Sequence, residues 1–181
     1  MRYLKIPKER IAVLIGEKGK TRRRIESFSG VKLDIDSDEG EVILHIESAK
    51  DAYLALKAEE TVKAIARGFS PKHAERIFSE DAEFFLFDIH DYVGKRPNHV
   101  HRVKSRVIGR EGKTKRVIET LTGANIEVYG HTVGLICDME AMDIAKTAVD
   151  MILSGSRQAT VYRYLEREMK QLRHQSSQQF F

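Results

Sequence analysis

Two tetrads of the form Gly-x-x-Gly, each followed by Lys-Thr, have the residue types and spacing that suit chemistry with a phosphate. They are Gly16-Glu17-Lys18-Gly19-Lys20-Thr21 and Gly109-Arg110-Glu111-Gly112-Lys113-Thr114. Two glycines let another backbone approach a turn with no Cβ in the way. A lysine just after them, opening a helix, adds its charge to the N–H groups and positive dipole end that attract an anion. The tetrads lie inside longer copies, Ile15 to Gly30 and Ile108 to Gly123, which align without a gap and are identical at nine of sixteen positions. Such self-similarity marks a duplicated domain.

The elements around each tetrad follow from its apolar frame. Leu14 and Ile15 in the first copy, and Val103, Val107 and Ile108 in the second, fit the end of one helix. Ile25 with Phe28, or Val117, Ile118 and Leu121, fit the inner face of the next. The tetrad is then a turn between helices. Ser29-Gly30 and Thr122-Gly123 stop the second helix ahead of alternating strands, Val31 to Asp36 and Asn125 to Tyr129. A P-loop would require glycine at Leu14 and Val107 and a buried strand leading in, so the Gly-Lys-Thr endings are not read as one.

In chain order, Arg2 to Ile6 reads as a strand, and Pro7 as the first residue of a helix that Gly16 ends. Val42 to Ile46 pairs across the turn Ser37-Asp38-Glu39-Gly40, and Ser48-Ala49-Lys50-Asp51 has the spacing of a capping box for a helix to Arg67. Residues 69–82 form a helical bracket started by Ser70-Pro71, carrying Ala74, Ile77 and Phe78 and packed against a neighbour. The second copy begins with strand Glu83 to Ile89, passes through a loop at Asp91 to Pro97, and has a longer lead helix, Asn98 to Ile108. Strand Thr132 to Cys137 and helix Ala141 to Leu153 complete it. The expected domains are 1–68 and 83–155, with an amphipathic helix in 156–175 and a disordered tail, 176–181. On that last helix Val161, Leu165 and Leu172 make a stripe beside Tyr164 and Met169, with Arg163, Arg167, Lys170 and Arg173 outward. It reads as a packed extension, with contact to RNA or a partner protein as its functional alternative.

Charge is gathered where the tetrads are. Of a net +4, residues 1–24 hold +7 and residues 95–116 hold +8, leaving −11 for the rest. This is the footprint of a phosphate-binding surface. A single cysteine, Cys137, in an apolar strand, excludes an internal disulfide framework and a cysteine-ligated zinc site. His99 and His101, two apart on a helix, point to different faces and are not a metal pair. No metal or other cofactor is expected. No apolar run approaches the ~20 residues of a membrane span, so a cytoplasmic protein without a membrane partner is expected.

The order Ile-Gly-x-x-Gly, six residues to Ile25 or Ile118, then Ser/Thr-Gly before a strand resembles the KH domain. That resemblance implies an α+β chain of two tandem type I KH domains (strand, two helices, two strands, helix) plus a C-terminal helix. It also implies single-stranded RNA or DNA as the ligand, clamped over about four nucleotides. The RNA-binding residues would be Gly16, Glu17, Lys18, Gly19, Lys20, Arg22 and Arg23 in the first copy and Gly109, Arg110, Glu111, Gly112, Lys113, Lys115 and Arg116 in the second. Bases would lie in aliphatic grooves around Leu14, Ile25 and Ile35, and around Val107, Ile118 and Val128, although for any one of these aliphatics plain core is the preferred reading. Arg22 and Lys115, three places after the second glycine where an aliphatic is common in KH domains, would add phosphate contacts.

Further residues narrow the resemblance. The linker Ala66-Arg67-Gly68-Phe69-Ser70-Pro71, the run Gly109 to Gly123 followed by Tyr129-Gly130, and the trailing Val161-Tyr162-Arg163-Tyr164-Leu165-Glu166 extend it. Together they look like the archaeal KH-type small-subunit rRNA-processing factors, counterparts of the eukaryotic pre-rRNA-processing partner of the Nob endonuclease. That family implies a non-enzymatic assembly factor bound to the 3′ region of small-subunit rRNA, acting with the endonuclease that matures it. In eukaryotic relatives the first loop is degenerate, whereas here Gly16-Glu17-Lys18-Gly19 is intact. Two alternatives stay open: a protein-binding adaptor for an assembly or translation-initiation factor, and an RNA-processing enzyme using the acidic group Asp34, Asp36, Asp38 and Glu39.

Overall fold

A computed structural model describes residues 1–178 and divides the chain into two compact units, Met1–Ala82 and Glu83–Phe181. In the first unit the order is β1 (Arg2–Lys5), α1 (Lys8–Ile15), α2 (Lys20–Ser29), β2 (Lys32–Asp36), β3 (Glu41–His45), α3 (Ala52–Ala66) and the short α4 (Pro71–Ala74). The second repeats it with β4 (Ala82–Asp88), a one-turn α5 (His90–Val93), α6 (Pro97–Ile108), α7 (Lys113–Thr122), β5 (Asn125–Tyr129), β6 (Thr132–Asp138), α8 (Met139–Leu153) and α9 (Gln158–Gln178). Each sheet has three strands, in the orders β1-β3-β2 and β4-β6-β5, so the strand after the glycine-loop helix is an edge in both. This is the type I KH order, twice.

The registers follow the alternation of the sequence. Leu33 pairs with Leu44 and Ile35 with Val42 in the first sheet. Ile126 pairs with Leu135 and Val128 with Val133 in the second. Ile25, Leu33, Leu44, Val62 and Ile65 are completely buried in the first unit, and Ile118, Ile126, Leu135 and Val149 in the second.

Several local expectations are corrected. Asp51, not Ser48, caps α3: its carboxylate accepts the Leu54 N–H at 2.7 Å, while Ser48 binds the carbonyls of Gly30 and His45. The expected loop from Asp91 contains the end of α5, where the Tyr92 hydroxyl donates to Asp150 Oδ1 at 2.6 Å. Burial, then the Asp150 carboxylate, push that phenol up to about 12. The bracket does start at Ser70, which caps the next turn, and it packs within the first unit: Ala74 and Ile77 are buried and Phe78 stacks on Phe28 at 5.2 Å. Helix α9 runs from Gln158 through Ser176 and Ser177 to Gln178, so the expected tail is helical that far; residues 179–181 lie outside the described part.

Helix α9 is part of the second core. Val161 and Leu165 are completely buried and Met169 nearly so, in one cluster with Ile118, Ala148, Val149 and Ile152. Each fully buried aliphatic of this kind is worth about 2 kcal/mol.

Candidate nucleic-acid interface

The two glycine loops have one backbone. Gly16 and Gly109 take φ 73°, ψ 173° and φ 76°, ψ 172°, a region only glycine occupies without strain. Lys18 and Glu111, the third residues, sit left-handed at φ 49° and 52°. Gly19 and Gly112 are left-handed too, and their N–H groups return to the carbonyls of Gly16 and Gly109 at 3.1 and 3.2 Å. A Cβ on Gly16 or Gly109 would meet Thr21 or Thr114 Oγ1 at 2.3 Å, so the repeated threonine is the floor on which each loop rests.

Each loop delivers the chain into a ten-residue helix, α2 or α7, whose first turn receives no side-chain cap. Lys20 and Lys113 open these helices and are exposed, as are Glu17, Lys18, Arg110 and Glu111 at the loop tips. Arg116 folds back so that its guanidinium donates to the Glu111 carbonyl at 3.2 Å. An N-terminal helix end flanked by Lys113, Arg110 and Arg116 offers free N–H groups and positive charge of the kind that attracts an anion.

The structure sorts the aliphatics named for the two grooves into core and surface. Val107 and Ile118, like Leu14 and Ile25, are 0% exposed. They are core, each on the inward face of its helix, as Val103 and Val107 are together on α6. The neighbouring Ile108 is the exposed aliphatic, at 37%. Val128 and Ile35, on the edge strands, are partly accessible. Arg22 and Lys115 are ion-paired, with Glu26 at 3.1 Å and Glu127 at 3.3 Å, so they line the groove beside the edge strand paired to carboxylates.

Glu26 and Glu119, identical in the two copies, had no assigned role. Their carboxylates accept the edge-strand N–H of Leu33 and Ile126, both at 2.9 Å, tying the loop helix to the strand that borders the groove. Their identity across the repeat was the available signal. A second unassigned pair lies on α9: Gln158 Nε2 and the Tyr162 hydroxyl donate to Thr114 Oγ1 at 2.8 and 3.2 Å. Helix α9 therefore braces the floor of the second loop. Replacing both, Gln158→Ala with Tyr162→Phe, should cost the second unit about 2 kcal/mol in urea unfolding, about 1 per bond.

The groove of the first unit is acidic. Asp34, Asp36, Glu41 and Glu47 line its hollows, with Arg22 and Lys32. The corresponding edge strand of the second unit, Asn125–Tyr129, carries only Glu127, held by Lys115. Asp36 accepts the N–H groups of Asp38 and Glu39 at 2.8 and 3.0 Å, and these bonds hold its carboxyl below the ordinary range. Asp34 and Glu47 approach the two ring nitrogens of His45 at 2.7 and 3.2 Å. These bonds, Asp34's first, raise the His45 pKa above 6.5. A raised histidine stabilises the fold fully below the unfolded pKa and ceases to do so as pH rises through the folded value. An NMR titration should give His45 a midpoint above 6.5 that falls in Asp34→Asn.

Of the acidic group considered for metal-assisted cleavage, the Asp36 carboxylate is engaged by the turn and that of Asp34 by His45. Among the described residues, the group with metal-ligand proximity is Asp88, His90 and His131 instead, which pairing by position in the sequence could not find. The two rings stack at 4.3 Å with planes 12° apart. A metal lies in the plane of each imidazole that binds it, and stacked rings share no such point.

Duplicated βααββα units with a glycine loop between their first helices define a tandem type I KH protein. Residues 83–170 match the family described as a eukaryotic-type KH domain of KH-domain type I, and residues 1–63 match the KH domain family. The KH domain-containing protein MJ0443 of Methanocaldococcus jannaschii is 45% identical over 94% of this chain and 74% of its own length. RNA-binding protein PNO1 of Oryzias latipes is 29% identical over 64% of this chain, which spans about half (48%) of that protein. A crystal structure of a complex of a/eIF2alpha, aDim2p and rRNA from Pyrococcus horikoshii contains a chain that is 43% identical and superposes with a TM-score of 0.85, over 94% of both chains. The chain belongs to the archaeal Dim2/PNO1-like family of KH-domain RNA-binding proteins. No helix among the described residues is long and apolar enough to cross a membrane.

Proposed function

We propose that this chain binds single-stranded RNA in the 3′ region of small-subunit rRNA, principally through its second glycine loop. It acts in ribosome biogenesis without a catalytic step of its own, assisting the endonuclease that matures that end. The observation that carries this reading is the second loop itself: an uncapped helix start beside Arg110, Lys113 and Arg116, adjoining an edge strand with one neutralised acid. The rRNA in the complex of the Pyrococcus horikoshii relative supports the ligand class. Phosphate contacts at the loop position the strand, and base edges along β5 and beside Ile108 read it.

The first unit has an equivalent loop but an acidic groove, which favours a second role there as a contact for a basic protein surface. A translation-initiation factor is the partner suggested by the a/eIF2alpha in that relative's complex. The site is expected to lie in the cytoplasm.

The test is competition between a short RNA copying the 3′ end of small-subunit rRNA and a scrambled RNA, with the full chain, across salt. Tighter binding of the native sequence, falling steeply with salt, supports the reading. Equal binding of the two RNAs would remove the assignment to that rRNA region.

A further inference from the structure

Helices α7 and α9 leave a groove between them that begins beside the second glycine loop, at Lys113 and Arg116. Thr114 meets Gln158 and Tyr162, while Leu121, seven residues on, lies with Met169 and Arg173. The two helices therefore run in the same direction, and the groove leads away from the loop along both. It consists of two adjoining hollows of about 380 Å³ each, which share Leu121 and Glu166.

The lining combines an apolar floor with cationic rims. Val117 and Leu121 are partly exposed in it, and Met169 closes its base. Lys113 and Arg116 stand at the end near the loop, and Lys170 and Arg173 at the far end. Among the described residues, Lys113, Lys170 and Arg173 make no ion pair, and Glu166 is the one acid that lines both hollows. Unneutralised cations at both ends of an apolar trough complement a strand of phosphates whose bases lie flat on aliphatic side chains. From Glu166 to Ser177 the α9 wall is about 16 Å long at about 1.5 Å per residue, room for more than one nucleotide.

We propose that this groove carries the RNA onward from the second glycine loop, Lys113 and Arg116 being common to both sites. The proposal rests on the loop's holding RNA. It assigns to Lys170 and Arg173 contacts with phosphates outside the segment clamped by the loop, and to Val117 and Leu121 the support of their bases.

The experiment uses the full chain and two kinds of RNA: a tetranucleotide bound at the loop, and the same RNA extended by four uridines on its 5′ or its 3′ side. With the native protein, extension on one side should tighten binding about tenfold. Lys170→Glu with Arg173→Glu should abolish that gain, leave the tetranucleotide within twofold, and lower the salt slope for the extended RNA by about 1.4. Both residues are exposed, so the double variant keeps the fold. Glu166→Gln should tighten the extended RNA more than the tetranucleotide, an effect that misfolding cannot mimic. The proposal is overturned if extension gives no gain, if the gain survives charge reversal, or if the double variant weakens both RNAs equally. Failure of the native chain to bind even the tetranucleotide would overturn the loop reading as well, and is distinguishable by that result.

Discussion

Gly109→Ala should destabilise the second unit by about 3 kcal/mol and abolish its RNA binding, whereas Gly112→Ala, three residues later in the same loop, should cost only about 1 kcal/mol. Both glycines have positive φ, 76° and 73°, so φ alone would not separate them. Their surroundings do. A Cβ on Gly109 would lie 2.3 Å from Thr114 Oγ1 and 2.6 Å from the Thr114 backbone nitrogen, and the backbone cannot swing aside. Thr114 is itself pinned by Gln158 and Tyr162. A Cβ on Gly112 meets nothing within 4 Å and would occupy the left-handed region that Glu111 already occupies. Urea unfolding of the full chain, followed at the amide resonances of the second unit, separates the two variants. Equal losses would mean that the loop is not seated on Thr114.

The second large effect is on binding rather than stability. Arg110→Asp with Glu111→Asp replaces a guanidinium by a second carboxylate at the exposed loop tip, and aspartate tolerates the left-handed conformation of residue 111. The fold should survive, while RNA affinity should fall at least about a hundredfold as a phosphate site becomes repulsive. Glu17→Asp with Lys18→Asp in the first loop should cost much less, about threefold, because the acidic groove beside it already opposes RNA. Electrophoretic mobility shifts or anisotropy with the rRNA 3′-end oligonucleotide compare the pair. A larger loss from the first loop would reverse the roles assigned to the two units.

What the sequence made legible was local and repeated. The gapless duplication around the glycines placed both loops, both following helices and both edge strands, since each depends on residues a few places apart. Even the ties from Glu26 and Glu119 to the edge strands were present as an identity between the copies. Helix phase at the loop was not legible: a rotation of one residue decides whether Val107 or Ile108 faces outward, and both are aliphatic. Tyr162 reaches Thr114 across 48 residues, so the brace formed by α9 has no local signature. Similarly, the charges of the first unit read as a basic segment followed by an acidic turn. Only the fold brings Asp34, Glu41 and Glu47 to the groove beside Arg22.

The most direct measurement of the central claim is a titration of isotope-labelled full chain with a tetranucleotide from the 3′ end of small-subunit rRNA, followed by amide chemical shifts. The result expected is a contiguous set of large shifts at Gly109 to Arg116 and along Asn125 to Tyr129, with smaller changes at Gly16 to Arg23. Shifts that spare Gly109 to Arg116, or saturable binding with no change at either glycine loop, would contradict it.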